Sequence, residues 1–152
     1  MLTLFLAAAL ATAPPVAPTS PSPDVARIQR SPSTNEAGIT ILVNRSGALT
    51  LQANTTAQSL SADKALATQL YADIDRAKDL STLPSGQCMK SASFGTTTSI
   101  AYNGRRSPDL ECAQNALEQA LRSDVDEIIR AVTKGQPTFR RTLPVMTAPA
   151  PR

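Results

Sequence analysis

The stretch Cys88–Cys112, CMKSASFGTTTSIAYNGRRSPDLEC, holds both cysteines of the chain and its clearest turn signal. Asn103-Gly104 sits between Ser99-Ile100-Ala101-Tyr102 and Arg105-Arg106-Ser107. Both central residues of a type I′ turn need positive φ, which Asn and Gly tolerate, so a tight hairpin is expected here. Upstream, Cys88, Lys90, Ala92 and Phe94 alternate with Met89, Ser91 and Ser93, the period of a half-buried strand. Gly95-Thr96-Thr97 marks a second reversal. The ladder should end at Ser107-Pro108-Asp109, because Pro108 has no N–H to donate and biases Ser107 toward extended geometry. A Cys88–Cys112 disulfide would tie the first of these strands to the start of the following helix, a closure worth roughly 3–4 kcal/mol in the chain-entropy account. Two buried free thiols are the plainer alternative. Two thiols in a chain without histidine cannot complete a structural zinc site.

Outward from this loop, the periodicity names its neighbours. On the N-terminal side, Leu66, Leu70 and Ile74 recur at i, i+4, i+8 with Ala67, Tyr71 and Ala77 beside them, one apolar stripe of a helix ending near Lys78. Ser61 reads as its N-cap and Asp63 as an acid in its first turn. Before it, Ile39, Ile41 and Val43, then the turn Asn44-Arg45-Ser46-Gly47, then Leu49 and Leu51 predict a first hairpin. On the C-terminal side, Leu117, Leu121, Val125, Ile128 and Val132 form a continuous face flanked by Ala113, Ala120 and Ile129. Gly135 stands where a C′ residue belongs, with Pro137 beyond it. The expected fold is α+β, a two-layer sandwich of antiparallel hairpins packed on two helices in the order ββαββ(β)α.

The ends read differently. Ten of the twelve prolines lie outside Gly38–Gly135, so about a hundred residues remain for a core. Met1–Ala11 is an apolar run ending in small residues, which reads as a signal peptide. Residues 12–37 are rich in Pro, Ser and Thr and read as a disordered linker; 38–135 is the disulfide-containing domain, and 136–152 a disordered tail. Export to the periplasm or beyond follows, with no stable membrane span in the mature chain. Within Gly38–Gly135 ten basic residues balance ten acidic ones, and the excess of +3 comes from the ends, five basic against two acidic. A nucleic-acid binder should carry its charge on the folded domain, so nucleic acid is not an expected partner.

Little catalytic chemistry is visible. The absence of histidine removes Ser-His-Asp and Cys-His systems, and no phosphate-cradling or nucleophile-elbow motif is present. No catalytic, cofactor or metal residue is assigned. Asp73-Ile74-Asp75 and Asp124-Val125-Asp126 are D-x-D pairs, but residues two apart on a helix diverge by about 200° and neither pair acts together. Asp75 and Asp79 share a face, read as solvated; Asp124 lies nearer its helix's apolar stripe. Lys90 reads as an edge-strand lysine. Asn103, Gly104, Arg105 and Arg106 form the candidate interaction loop, because a rigid exposed turn loses little entropy on docking. Asn44-Arg45-Ser46 and Asn54-Thr55-Thr56 match the glycosylation sequon, which matters only in a eukaryotic secretory pathway.

The run Cys88–Thr96 followed by Ser107–Cys112 resembles a stretch of small exported bacterial proteins of unassigned function, over about a quarter of the chain. The hairpin-helix-hairpin-helix order is also similar to small bacterial proteinase inhibitors of the emfourin kind, without any inhibitory residue to carry over. The sequence thus points to a non-enzymatic exported domain that binds a protein or an envelope component. Its rivals are a proteinase inhibitor presenting the Asn103–Pro108 loop or the first hairpin, and a small carboxylate-dependent enzyme.

Overall fold

The computed structural model describes residues 24–53, 56–61, 63–91, 93 and 95–134. The expected signal peptide, the tail and Gly135 lie outside the described residues, as do Asn54 and Thr55 of the second sequon.

Six antiparallel strands form one sheet in the order β4-β3-β2-β1-β5-β6, with two helices packed on one face. The strands are β1 Val25–Arg30, β2 Ile39–Asn44, β3 Ala48–Ala53, β4 Thr56–Ser61, β5 Thr98–Tyr102 and β6 Arg105–Arg106; the helices are α1 Lys64–Ala77 and α2 Ala116–Thr133. The α+β class and the two layers are as expected. The order is ββββαββα, with strands added before and after the first hairpin.

Period-two alternation aims Ala26, Ile28, Ile41, Val43, Leu49, Leu51 and Ile100 at the helices, all nearly inaccessible to solvent. Leu70, Ile74, Leu121, Val125 and Ile128 meet them from α1 and α2. Burying each such side chain stabilises the fold by roughly 1.5–3 kcal/mol. Arg27, Gln29, Thr40, Leu42 and Thr50 alternate onto the opposite face and are only partly covered.

The largest departure from expectation is β1. Val25–Arg30 lies inside the stretch 12–37 read as linker, yet it is a central strand, paired with β2 on one side and β5 on the other. Prolines on both sides hide a short alternating run, VARIQR, whose Ala26 and Ile28 complete the core. The ordered unit therefore begins before Gly38. Thr34 N–H reaches Ser93 O at 2.9 Å, and Gly38 packs against Pro32 so closely that a Cβ would stand 2.9 Å from its Cδ.

A second departure is the upstream part of the cysteine stretch. Cys88–Ser91 is irregular, not a strand. Both edges of β5 are already occupied, by β1 and β6, so the sheet offers the segment no place beside it. The sulfurs of Cys88 and Cys112 are bonded, with Cα atoms 5.4 Å apart, which draws the segment onto the 3₁₀ turn Leu110–Cys112 instead. The helix signals shift by a few residues. Ser61 belongs to β4, and α1 is capped by Asp63, whose carboxylate accepts Ala65 N–H at 2.9 Å. On α2, Asn115 and Glu118 form a reciprocal capping box, which explains why Glu118 is buried yet satisfied.

Candidate functional site

The two hairpin turns reach the same end of the sheet as the C-terminus of α1, and a polar groove lies between them. In the second hairpin, Asn103 and Gly104 take φ of 48° and 73°, the left-handed geometry expected of this pair. In the first, Gly47 has φ 91° and donates its N–H to Asn44 O at 2.9 Å. The groove measures about 320 Å³ and is lined by Arg45, Asp75, Lys78, Tyr102, Asn103 and Arg105, with Ile74 and Leu80 as its apolar floor.

Of the four loop residues singled out in the sequence, two face this groove. Arg105 pairs in register with Tyr102 and lies 3.6 Å from Asp79. Arg106, one residue on, turns to the opposite face, where its Nε donates to Ser99 Oγ at 3.1 Å. Alternation of the strand therefore divides the arginine pair. Gly104 faces open space.

Arg45 was legible in the sequence only as a turn residue. Its guanidinium stacks 4.3 Å from the centre of the Tyr71 ring and 5.7 Å from that of Tyr102. It also grips Asp75 through two bonds of 2.9 and 3.2 Å and donates to the Tyr102 hydroxyl at 3.2 Å. The Asp75 bonds first, then Tyr102, hold the guanidinium even more firmly protonated than usual. The two rings meet edge to face at 5.5 Å. Behind them the Tyr71 hydroxyl accepts Ala26 N–H at 2.9 Å and lies 2.8 Å from the carbonyls of Asp24 and Val43. Burial raises its pKa, and the Ala26 bond works the other way. The only two tyrosines of the chain thus brace one arginine.

Lys78 adds strain. It caps α1 with φ 57° and ψ −53°, and Asp79 N–H closes onto Ala77 O at 2.6 Å, a three-residue γ-turn of the rare left-handed kind. Such a conformation costs roughly 1–3 kcal/mol and persists only where its surroundings impose it. Here Asp79 does so by capping the next turn, accepting Ser81 N–H at 2.8 Å and Ser81 O–H at 2.6 Å. Those bonds, the hydroxyl's first, depress the Asp79 pKa, with Arg105 adding to them. Among the described residues Lys78 makes no ion pair, whereas the groove's other two cations, Arg45 and Arg105, meet Asp75 and Asp79.

The disulfide segment is a second exposed feature. Gln87–Ser91 is solvent-exposed, and Met89 is the one large hydrophobic fully exposed among the described residues. Lys90 is not an edge-strand lysine. Its ammonium bonds Thr96 O at 2.6 Å and the Asp109 carboxylate. Burial alone would raise the Asp109 pKa, but bonds from Lys90 and from the N–H groups of Thr98 and Glu111 outweigh it and lower the pKa. Beyond Asp109, Arg30 of β1 ties this corner to α2 through Glu111 at 3.4 Å and Asp126 at 2.5 Å.

The carboxylates form a contact that single-helix phase does not show. Neither D-x-D pair acts as a pair, yet Asp73 of α1 and Asp124 of α2 meet across the helix contact. Asp73 is 1 % exposed and Asp124 is 8 % exposed. Asp73 accepts Arg76 Nη1 at 2.7 Å, and Gln69 Nε2 stands 3.4 Å away. Among the described residues Asp124 Oδ2 has no hydrogen-bond partner. Burial, then the charge and hydrogen bond of Asp73, then Glu127, push the Asp124 pKa up to about 7. Helix phase read one helix at a time cannot reveal a pair formed between two. Neither carboxyl lines the turn groove or the hollow beside Met89.

No family model matches the chain, and no curated protein matches it. Among the described residues no helix is long and apolar enough to cross a membrane.

Proposed function

We propose that the chain is a non-enzymatic, exported binding domain, and that its ligand, a protein or an envelope component, docks through an acidic group at the groove between the two hairpin turns. The observation that carries this reading is the convergence of Arg45, Lys78 and Arg105 on one groove whose backbone is held in a strained γ-turn at Lys78. Arg45 is pre-set by its tyrosine stack, so little side-chain entropy remains to be lost on docking. Export is supported by the disulfide. Reversing the groove with Lys78→Glu and Arg105→Glu should weaken capture of the ligand from an envelope extract by roughly tenfold or more, with steep salt dependence in the parent protein. Both side chains project from the surface, so the urea midpoint should move by no more than the loss of an exposed ion pair between Arg105 and Asp79 accounts for. Capture of the same species by the reversed protein removes the groove from this account.

A second reading, proteinase inhibition, is favoured by one observation. The segment most like a substrate is Cys88–Ser91, not the tight Asn103–Pro108 turn, because it is irregular, exposed and anchored by a disulfide.

A further inference from the structure

We infer that Gln87–Ser91 is a substrate-like loop for a serine endopeptidase with a deep apolar specificity pocket, and that Met89 is the side chain that fills the pocket. This rests on the inhibitor reading and narrows it to one peptide bond and one class of enzyme.

The loop has the two properties such a cleft requires. Proteinases pair with the backbone of an extended segment as an added strand. The backbone N–H and C=O groups of Gln87–Lys90 make no backbone hydrogen bond among the described residues, and all four residues are solvent-exposed. The cleft also needs one projecting side chain, and Met89 is fully exposed between two fixed neighbours. Its flexible thioether adapts to an apolar pocket.

What distinguishes an inhibitor from a substrate is that both flanks stay put. On the N-terminal side Cys88 is bonded to Cys112, and Gly86 is pressed onto the same turn, where a Cβ would stand 2.3 Å from Cys112 O. On the C-terminal side Lys90 is pinned to Asp109 and Thr96 O, Gly95 N–H bonds Ser91 O at 2.8 Å, and Ser93 O accepts Thr34 N–H at 2.9 Å. Both anchors converge on the 109–112 turn, one residue either side of Met89.

The proteinase serine Oγ attacks the Met89 carbonyl carbon and passes its proton to the proteinase histidine. As the Met89–Lys90 bond breaks, the histidine returns that proton to the departing Lys90 nitrogen, which becomes an amine. The ion pair with Asp109 keeps that amine beside the acyl ester instead of letting it diffuse away. It re-forms the peptide bond faster than water hydrolyses the ester, so the complex persists.

The test is stoichiometric titration of the disulfide-intact protein against chymotrypsin-like, subtilisin-like and trypsin-like serine proteinases. Inhibition of the first two is expected. Met89→Asp should weaken it by roughly a hundredfold, as for a central interface anchor, and Met89→Arg should move it to the trypsin-like enzyme. Reduction should convert the protein into a substrate cut after Met89. Rapid cleavage of the intact protein at that bond, or inhibition that Met89→Asp leaves unchanged, overturns the loop assignment. No inhibition of any serine enzyme overturns the inhibitor reading as well, and leaves the Lys78 and Arg105 groove to be judged by its own variants.

Discussion

Asp73 and Asp75 lie two residues apart on α1 and meet opposite fates. Asp75 points to the turn end, exposed, and its charge is answered by a two-pronged bond from Arg45. Asp73 points to α2, buried, and faces another carboxyl, Asp124. At the exposed site a countercharge does the neutralising; between the helices Arg76 answers Asp73, while burial and the nearby Asp73 charge push Asp124 toward its protonated form. The difference shows how burial decides the means of compensation, since two ionised carboxylates in a poorly solvated contact repel at close range.

Three measurements break or sharpen that contrast. The largest effect is expected behind the turn end, at Tyr71→Phe. The variant leaves Ala26 N–H buried without its acceptor, a loss of about 1–3 kcal/mol by urea unfolding. No change would mean that the stacked rings alone hold this end. Next is Asp124→Asn. With its pKa raised from the ordinary 3.8 to about 7 in the folded protein, Asp124 binds a proton more tightly folded than unfolded. Its proton-linked stability is fully present below about pH 4 and lost as pH rises toward 7. Asparagine keeps a donor toward Asp73 and has nothing to ionise, so the variant should gain about 1–2 kcal/mol over the parent at pH 8 and none at pH 4. A stability difference independent of pH would refute the raised Asp124 pKa. The smallest effect is Arg45→Ala, expected to lower stability by about 1 kcal/mol or less, because the pair is exposed and screened. A loss that survives high salt would assign the effect to the tyrosine stack, and one that vanishes would assign it to Asp75.

Much of the architecture was readable residue by residue. The α2 stripe from Leu117 to Val132, the first hairpin and the Asn103-Gly104 turn all stand where local pattern put them. β1 was not, because VARIQR lies among prolines and composition over that window resembles a linker. Cys88–Ser91 failed in the other direction. Its alternation is that of a strand, but β5 had no free edge to receive it. The site was half legible. Asn103 and Arg105 reach the groove, Arg106 does not, and Arg45 gave no signal beyond its place in a turn.

The sequence by itself determined the class, two layers of hairpin and helix, because apolar periodicity and turn chemistry act over neighbouring residues. Only the tertiary structure decided which strands fill the sheet, that Asp73 meets Asp124, and that Arg45 rests on Tyr71 and Tyr102. Those partners are 51, 26 and 57 positions apart in the chain, and their interaction energies exist only once the core has drawn separate elements together.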